Sequence, residues 1–320
     1  MYAKYVYNSG VQATVQANIL ADLVALVTGE TNVANLSASC DKPNTTIIST
    51  VAAGWTLHDA AAGTNAKTVK APLADDVTAF KYAVIDTNTA SSILTKVYET
   101  WDAGAHTGTN KCINSDTAGY NQQVNTTSGG IIHIFATARF MLLCSQLGST
   151  WGSPSYSGGS GCFERTRVCP WDTVAAGYPP YLFANLGYWA FNDTSACAPR
   201  KLLRTGVVNT GSTANLNANV VPWGSLSGAE ALINGADQKV QNTSGTGLIP
   251  LLPIMLVDST AMPMQYGEIS SLCDVWMIPQ GVSANLDTIT ISGVNYLSLQ
   301  AYNTSRMFAV CDTRSQFRLL

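Results

Sequence analysis

Apolar residues recur at helical spacing in one sustained place among the first hundred residues. Val15, Ile19, Leu23 and Val27 stand four apart, and Leu20 and Val24 widen the stripe, which predicts an amphipathic helix over Gln12–Val27 packed on a sheet. Thr28-Gly29 supplies its stop signal. Asp22 is the one charged residue of this helix, so its outward side is also modest in polarity.

After the helix the period shortens to that of strands. Thr45–Val51 is rich in β-branched residues, Phe80–Val84 alternates, and Ser92–Tyr98 follows the same pattern. Further strands are expected over Ile131–Ala136, Arg139–Cys144, Phe163–Val168, Leu202–Val208, Leu251–Val257, Leu272–Ile278, Leu286–Ile291, Val294–Leu299 and Met307–Cys311. Short strands divided by Gly-, Asn- and Asp-rich turns point to a sandwich or barrel. The expected fold class is α+β, mainly β. A composition shift over Gly104–Ser115 divides the chain into a small helix-plus-strand domain, residues 1–110, and a larger antiparallel β-sandwich-like domain, residues 111–320. Ser153–Gly161 has the composition of an exposed loop.

Charge changes the picture. Only 12% of the 320 residues are Asp, Glu, Lys or Arg, against about 25% in ordinary soluble domains. Arg139 is the single charged residue between Thr117 and Phe163, and Thr205–Ala229 has none. These stretches are full of Asn, Ser, Thr and Gly, and Gln122, Gln123, Asn125 and Gly129-Gly130 interrupt any run long enough to span a bilayer as a helix. Depletion of Lys, Glu and Asp marks interface cores, so Thr117–Ala138 and Thr205–Ala229 are expected against neighbouring subunits. The net charge of -3 with scattered cations disfavours nucleic-acid binding. The first residues show no basic segment followed by an apolar run, so no secretory signal is expected.

Eight cysteines, Cys40, Cys112, Cys144, Cys162, Cys169, Cys197, Cys273 and Cys311, contain no C-x-x-C pair. Buried thiols and disulfides formed after release from a reducing cytosol both fit. Cys162 and Cys169, which bracket Phe163–Val168, are the leading bridging pair; Cys112 and Cys197 are further candidates. No metal or cofactor site is expected. Glu99, Asp102 and His106 form the densest polar cluster, yet their spacing matches no recurrent metalloenzyme pattern. His58-Asp59 lacks an accompanying nucleophile elbow, and His133 reads as a strand histidine facing a neighbour. The N-x-S/T matches at Asn44, Asn125 and Asn242 are expected by chance in so Asn- and Thr-rich a chain.

Aromatic residues crowd Trp171–Phe191. Trp171, Tyr178, Tyr181 and Trp189 suit a sugar-stacking platform, a protein-docking ridge or a core beneath a long loop.

Two stretches resemble uncharacterised virion structural proteins of tailed bacteriophages. One runs through Thr45-Thr46-Ile47-Ile48-Ser49-Thr50, Gly54-Trp55-Thr56, Ala71-Pro72 and Tyr98-Glu99-Thr100-Trp101-Asp102. The other contains Phe163-Glu164-Arg165-Thr166-Arg167, Trp171-Asp172 and Gly177-Tyr178-Pro179-Pro180. The resemblance implies a particle component made in the bacterial cytoplasm and residing in the virion, with no enzyme activity, no catalytic residue and no cofactor. The expected function is a structural subunit of the tail, baseplate or neck that contacts itself, as a homo-oligomer, and other virion proteins. The alternatives are a head-surface decoration subunit and a receptor- or glycan-binding fibre module using the aromatics above. A glycan-degrading enzyme using Glu99 and Asp102 is disfavoured, because one strand points such carboxylates unevenly.

Overall fold

The computed structural model describes residues 1–48, 54–72, 82–87, 92–111, 122–136, 141–147, 159–164, 181–185, 200–201, 218–221, 255–258, 264–268, 275–278, 287–291, 294–300 and 307–311. In chain order these form β1 (Tyr2–Tyr7), α1 (Gln12–Val27), a 3-10 turn (Val33–Asn35), β2 (Thr46–Ile47), β3 (Thr56–Gly63), β4 (Ala66–Lys70), β5 (Tyr82–Asp86), β6 (Ser92–Asp102), β7 (Thr107–Lys111) and β8 (Gln122–Gln123). There follow β9 (Gly130–Ala136), β10 (Met141–Leu147), β11 (Gly159–Glu164), β12 (Tyr181–Asn185), β13 (Arg200–Lys201), β14 (Ala218–Val221), β15 (Met255–Asp258), β16 (Met264–Glu268), β17 (Val275–Ile278), β18 (Thr288–Ile291), β19 (Val294–Gln300) and β20 (Met307–Cys311). The described residues are therefore mainly β, with one α-helix.

The strands make four antiparallel sheets. A seven-stranded sheet has the order β13-β12-β11-β10-β9-β1-β2, and a six-stranded one has β3-β4-β5-β6-β7 with β8 also on β6. The others run β14-β15-β16 and β17-β20-β19-β18.

The helix has the expected bounds. Its stripe of Val15, Ile19, Leu20, Leu23, Val24 and Val27 is buried, and it ends in a Schellman motif. Gly29 takes φ 113°, its N–H donates to Leu26 O, and the Glu30 N–H donates to Ala25 O. One apolar cluster joins α1 to Tyr5 and Tyr7 of β1, Ile132 and Ile134 of β9, Met141 and Leu143 of β10, and Val69, Ala83, Ile85 and Ile93 of the six-stranded sheet. Both sheets thus share the core that the helix fills.

Three expectations meet a different structure. The division at 110/111 runs through a shared sheet: β1 pairs with β9, Ala3 opposite Ile134 and Tyr5 opposite Ile132. The Gly104–Ser115 composition shift contains β7, which returns along β6 as a hairpin, Asp102 opposite Thr107. Asp102 Oδ1 accepts the N–H groups of Gly104 (2.8 Å) and Ala105 (3.1 Å), so those glycine- and alanine-rich residues mark a turn. In the expected loop Ser153–Gly161, Gly159, Ser160 and Gly161 belong to β11 and lie opposite Cys144, Leu143 and Leu142. Ladder bonds need only backbone, and a strand flanked on both sides tolerates such small residues.

The charge-poor Thr117–Ala138 stretch is expected at a subunit contact, yet within it β9 lies between β1 and β10 and buries Ile132, His133, Ile134, Phe135 and Ala136 within its own chain. Burial accounts for the missing charge there without a neighbour. Of Thr205–Ala229 only β14 lies within the described residues.

Candidate functional site

A polar cluster among the described residues surrounds Asp59, on edge strand β3. Its side chain is 3% exposed. Oδ2 accepts the indole N–H of Trp101 at 2.8 Å and lies 2.9 Å from His106 Nδ1, while Oδ1 accepts the Ala61 N–H at 2.8 Å. An ionised carboxylate only accepts, so His106 Nδ1 is the donor.

Strand register shows what this contact demands. Asp59 stands opposite Thr68, Thr68 opposite Val84, and Val84 opposite Lys96; Lys96 is the β6 residue level with Asp59. Trp101 lies further along β6 and three strands across. In a flat sheet those offsets amount to about 16 Å and about 14 Å at ordinary strand spacings, beyond the reach of an Asp and a Trp side chain. The sheet must therefore be rolled, with the end of β6 and the β6–β7 turn folded back towards β3. Register shifts on both sides of Asp59 supply the local twist that such rolling needs.

The electrostatics follow from this packing. Burial works against the Asp59 charge, but hydrogen bonds from His106, Trp101 and Ala61 outweigh it and hold the carboxyl below its ordinary value. His106 is 45% exposed on its side chain and takes φ 55°, the left-handed region. The rings of Tyr98 and Trp101 meet edge to face at 5.0 Å over Gly108, where a Cβ would collide with both. Thr100 and Thr109 hydroxyls bond across the hairpin.

A carboxylate that anchors an imidazole is half of an acid–base relay. Among the described residues no hydroxyl or thiol is bonded to His106, and no group of three His, Cys, Asp or Glu side chains converges on a metal position. The sequence singles out His58-Asp59 and Glu99–His106 separately; the fold joins Asp59 to Trp101 and His106 and commits Asp102 Oδ1 to the turn. Glu99 lies on β6. His58 is half-buried against Tyr82, with ring centroids 4.8 Å apart. His133 is buried on β9, its Nδ1 3.0 Å from Tyr2 Oη.

The aromatic set divides differently. Tyr181 begins β12 opposite Glu164, whereas Trp171, Tyr178 and Trp189 lie outside the described residues. Cys162 is on β11 opposite Met141 and Phe183, and Cys169 lies outside the described residues. Cys40 and Cys144 are free and buried; burial pushes the Cys144 thiol up to about 12, away from reactive thiolate chemistry.

A second buried carboxylate is structural. Asp22 Oδ2 accepts the Tyr5 and Ser37 hydroxyls and Oδ1 accepts the Ser37 N–H, each at 2.7 Å. The only charge of α1 is thereby turned inward. Its exposed positions are Gln12, Ala13, Thr14, Ala17 and Ala21, and the preceding Val11 is 75% exposed. No protein-family model matches the chain, and no curated protein matches it.

Proposed function

We propose that this chain is a non-enzymatic structural subunit of a tailed-bacteriophage virion, in the tail, baseplate or neck, that assembles with itself and with other particle proteins through uncharged surfaces. The observation that carries the reading is the outward side of α1. A helix on a free surface ordinarily presents charged residues to water; this one exposes Gln, Thr and Ala and buries its only carboxylate. Low charge over the whole chain and the resemblance of Thr45–Thr50 and Phe163–Arg167 to virion proteins point the same way.

Two finer features belong to the proposal. The sheets of the C-terminal half pack as a sandwich, a reading supported by the consecutive buried residues Tyr296, Leu297 and Ser298, which mean that both sides of β19 are covered. A Cys162–Cys169 bridge forms after the particle leaves the reducing cytosol. Quantitative mass spectrometry of purified particles tests the assignment: the chain should be present at a fixed copy number and resist high-salt washing. Its absence from particles released by cells that make it would overturn the reading.

A further inference from the structure

We propose that Asp59 is the latch of a conformational device: the β6–β7 hairpin swings away from β3 as one unit when its side-chain bonds to Asp59 are released, while the core around α1 stays closed. The sheet order ends at β3 on one side and β7 on the other, so among the described residues no backbone ladder closes the roll. Among the described residues the side-chain bonds that reach across this gap to Asp59 come from Trp101 and His106.

The moving unit has its own integrity. β7 is laddered to β6 from Lys111 opposite Tyr98 to Thr107 opposite Asp102, and the Tyr98 and Trp101 rings pack over Gly108. It also has a hinge. Among the described residues Tyr98 is the last of β6 to pair with β5, opposite Tyr82, and the first to pair with β7, opposite Lys111, so the proposed hinge lies there. No residue of β7 belongs to the apolar cluster around α1, so opening leaves that cluster intact.

The test uses indole and amide hydrogen exchange by NMR on the full chain. His106→Ala removes one latch bond at an exposed position and leaves the bond from Trp101 to Asp59 in place. The expected result is exchange of the Trp101 Nε1–H accelerated about ten-fold through sub-global opening, with the β6–β7 ladder amides and the β9 amides unchanged. Asp59→Asn should give the same pattern, larger. Acceleration of the ladder amides along with the indole means that the hairpin melts, acceleration at β9 means global destabilisation, and an unchanged indole means no latch; each overturns the proposal.

Discussion

Asp22 shows how one buried side chain decides several others. Replacing it by Ala strands the Tyr5 hydroxyl in the core and leaves both donors of half-buried Ser37 without their acceptor, and a fully buried loss of this kind costs about 1–3 kcal/mol per unsatisfied group. Asp22→Ala should therefore lower the unfolding free energy by about 3 kcal/mol or more in urea titration, and Tyr5→Phe by about 1 kcal/mol. Titration separates the other buried groups. Asp59 is held below its ordinary value of 3.8, so its stabilising contribution is complete above the unfolded value and disappears as pH falls through the folded one. Tyr7, opposed by the Asn125 N–H, is still pushed up to about 12 by burial; its contribution is complete below about pH 10 and is lost as pH rises from there to about 12. Thermal melts across pH should show both losses, and Tyr7→Phe should reduce the alkaline limb, to which Tyr5, pushed further up by burial and by Asp22 beside it, also contributes. Asp59, Trp101 and His106 were each visible in the sequence, but their meeting depends on how far the sheet rolls. No local pattern encodes that.

Elements differ in how much they announce themselves. The stripe of α1 and the Gly29 stop are local signals, and the helix keeps the expected ends. β19 and β20 likewise coincide with short apolar runs in the sequence. β1 offers less warning, since a central strand covered on both sides loses the polar half of its pattern: Tyr2, Ala3, Tyr5 and Tyr7 are all buried. β11 opens with Gly-Ser-Gly and is specified by its two partner strands. The turn into β9 supplies an element-scale test. Gly129 takes φ 74°, and a Cβ there would press on the Tyr7 carbonyl oxygen beside the last β1–β9 pair. Gly129→Ala should cost about 2 kcal/mol, combining left-handed strain with local overpacking, and should loosen β1 amides in hydrogen exchange before those of β10. Equal loosening of both would show that the turn does not set this register.

At the scale of the molecule, a charge-poor surface has consequences that a charged one does not share. Contacts between exposed ions weaken as salt shortens the screening length from about 10 Å at 0.1 M to about 3 Å at 1 M, whereas burial of apolar and neutral polar surface does not depend on that length. If the outward side of α1 is a subunit contact, association of the purified chain should be as strong in 1 M NaCl as in 0.1 M. Ala17→Lys adds one exposed charge to the centre of that face. In the isolated chain it should change stability by no more than about 0.5 kcal/mol, the usual range for a surface substitution. In the assembled state the ammonium would be buried without a partner, a desolvation cost that weakens association. Sedimentation velocity on both proteins at the two salt concentrations provides the comparison. A wild-type chain that dissociates as salt rises would place its contacts in ion pairs, and equal association of Ala17→Lys and wild type would remove α1 from the interface.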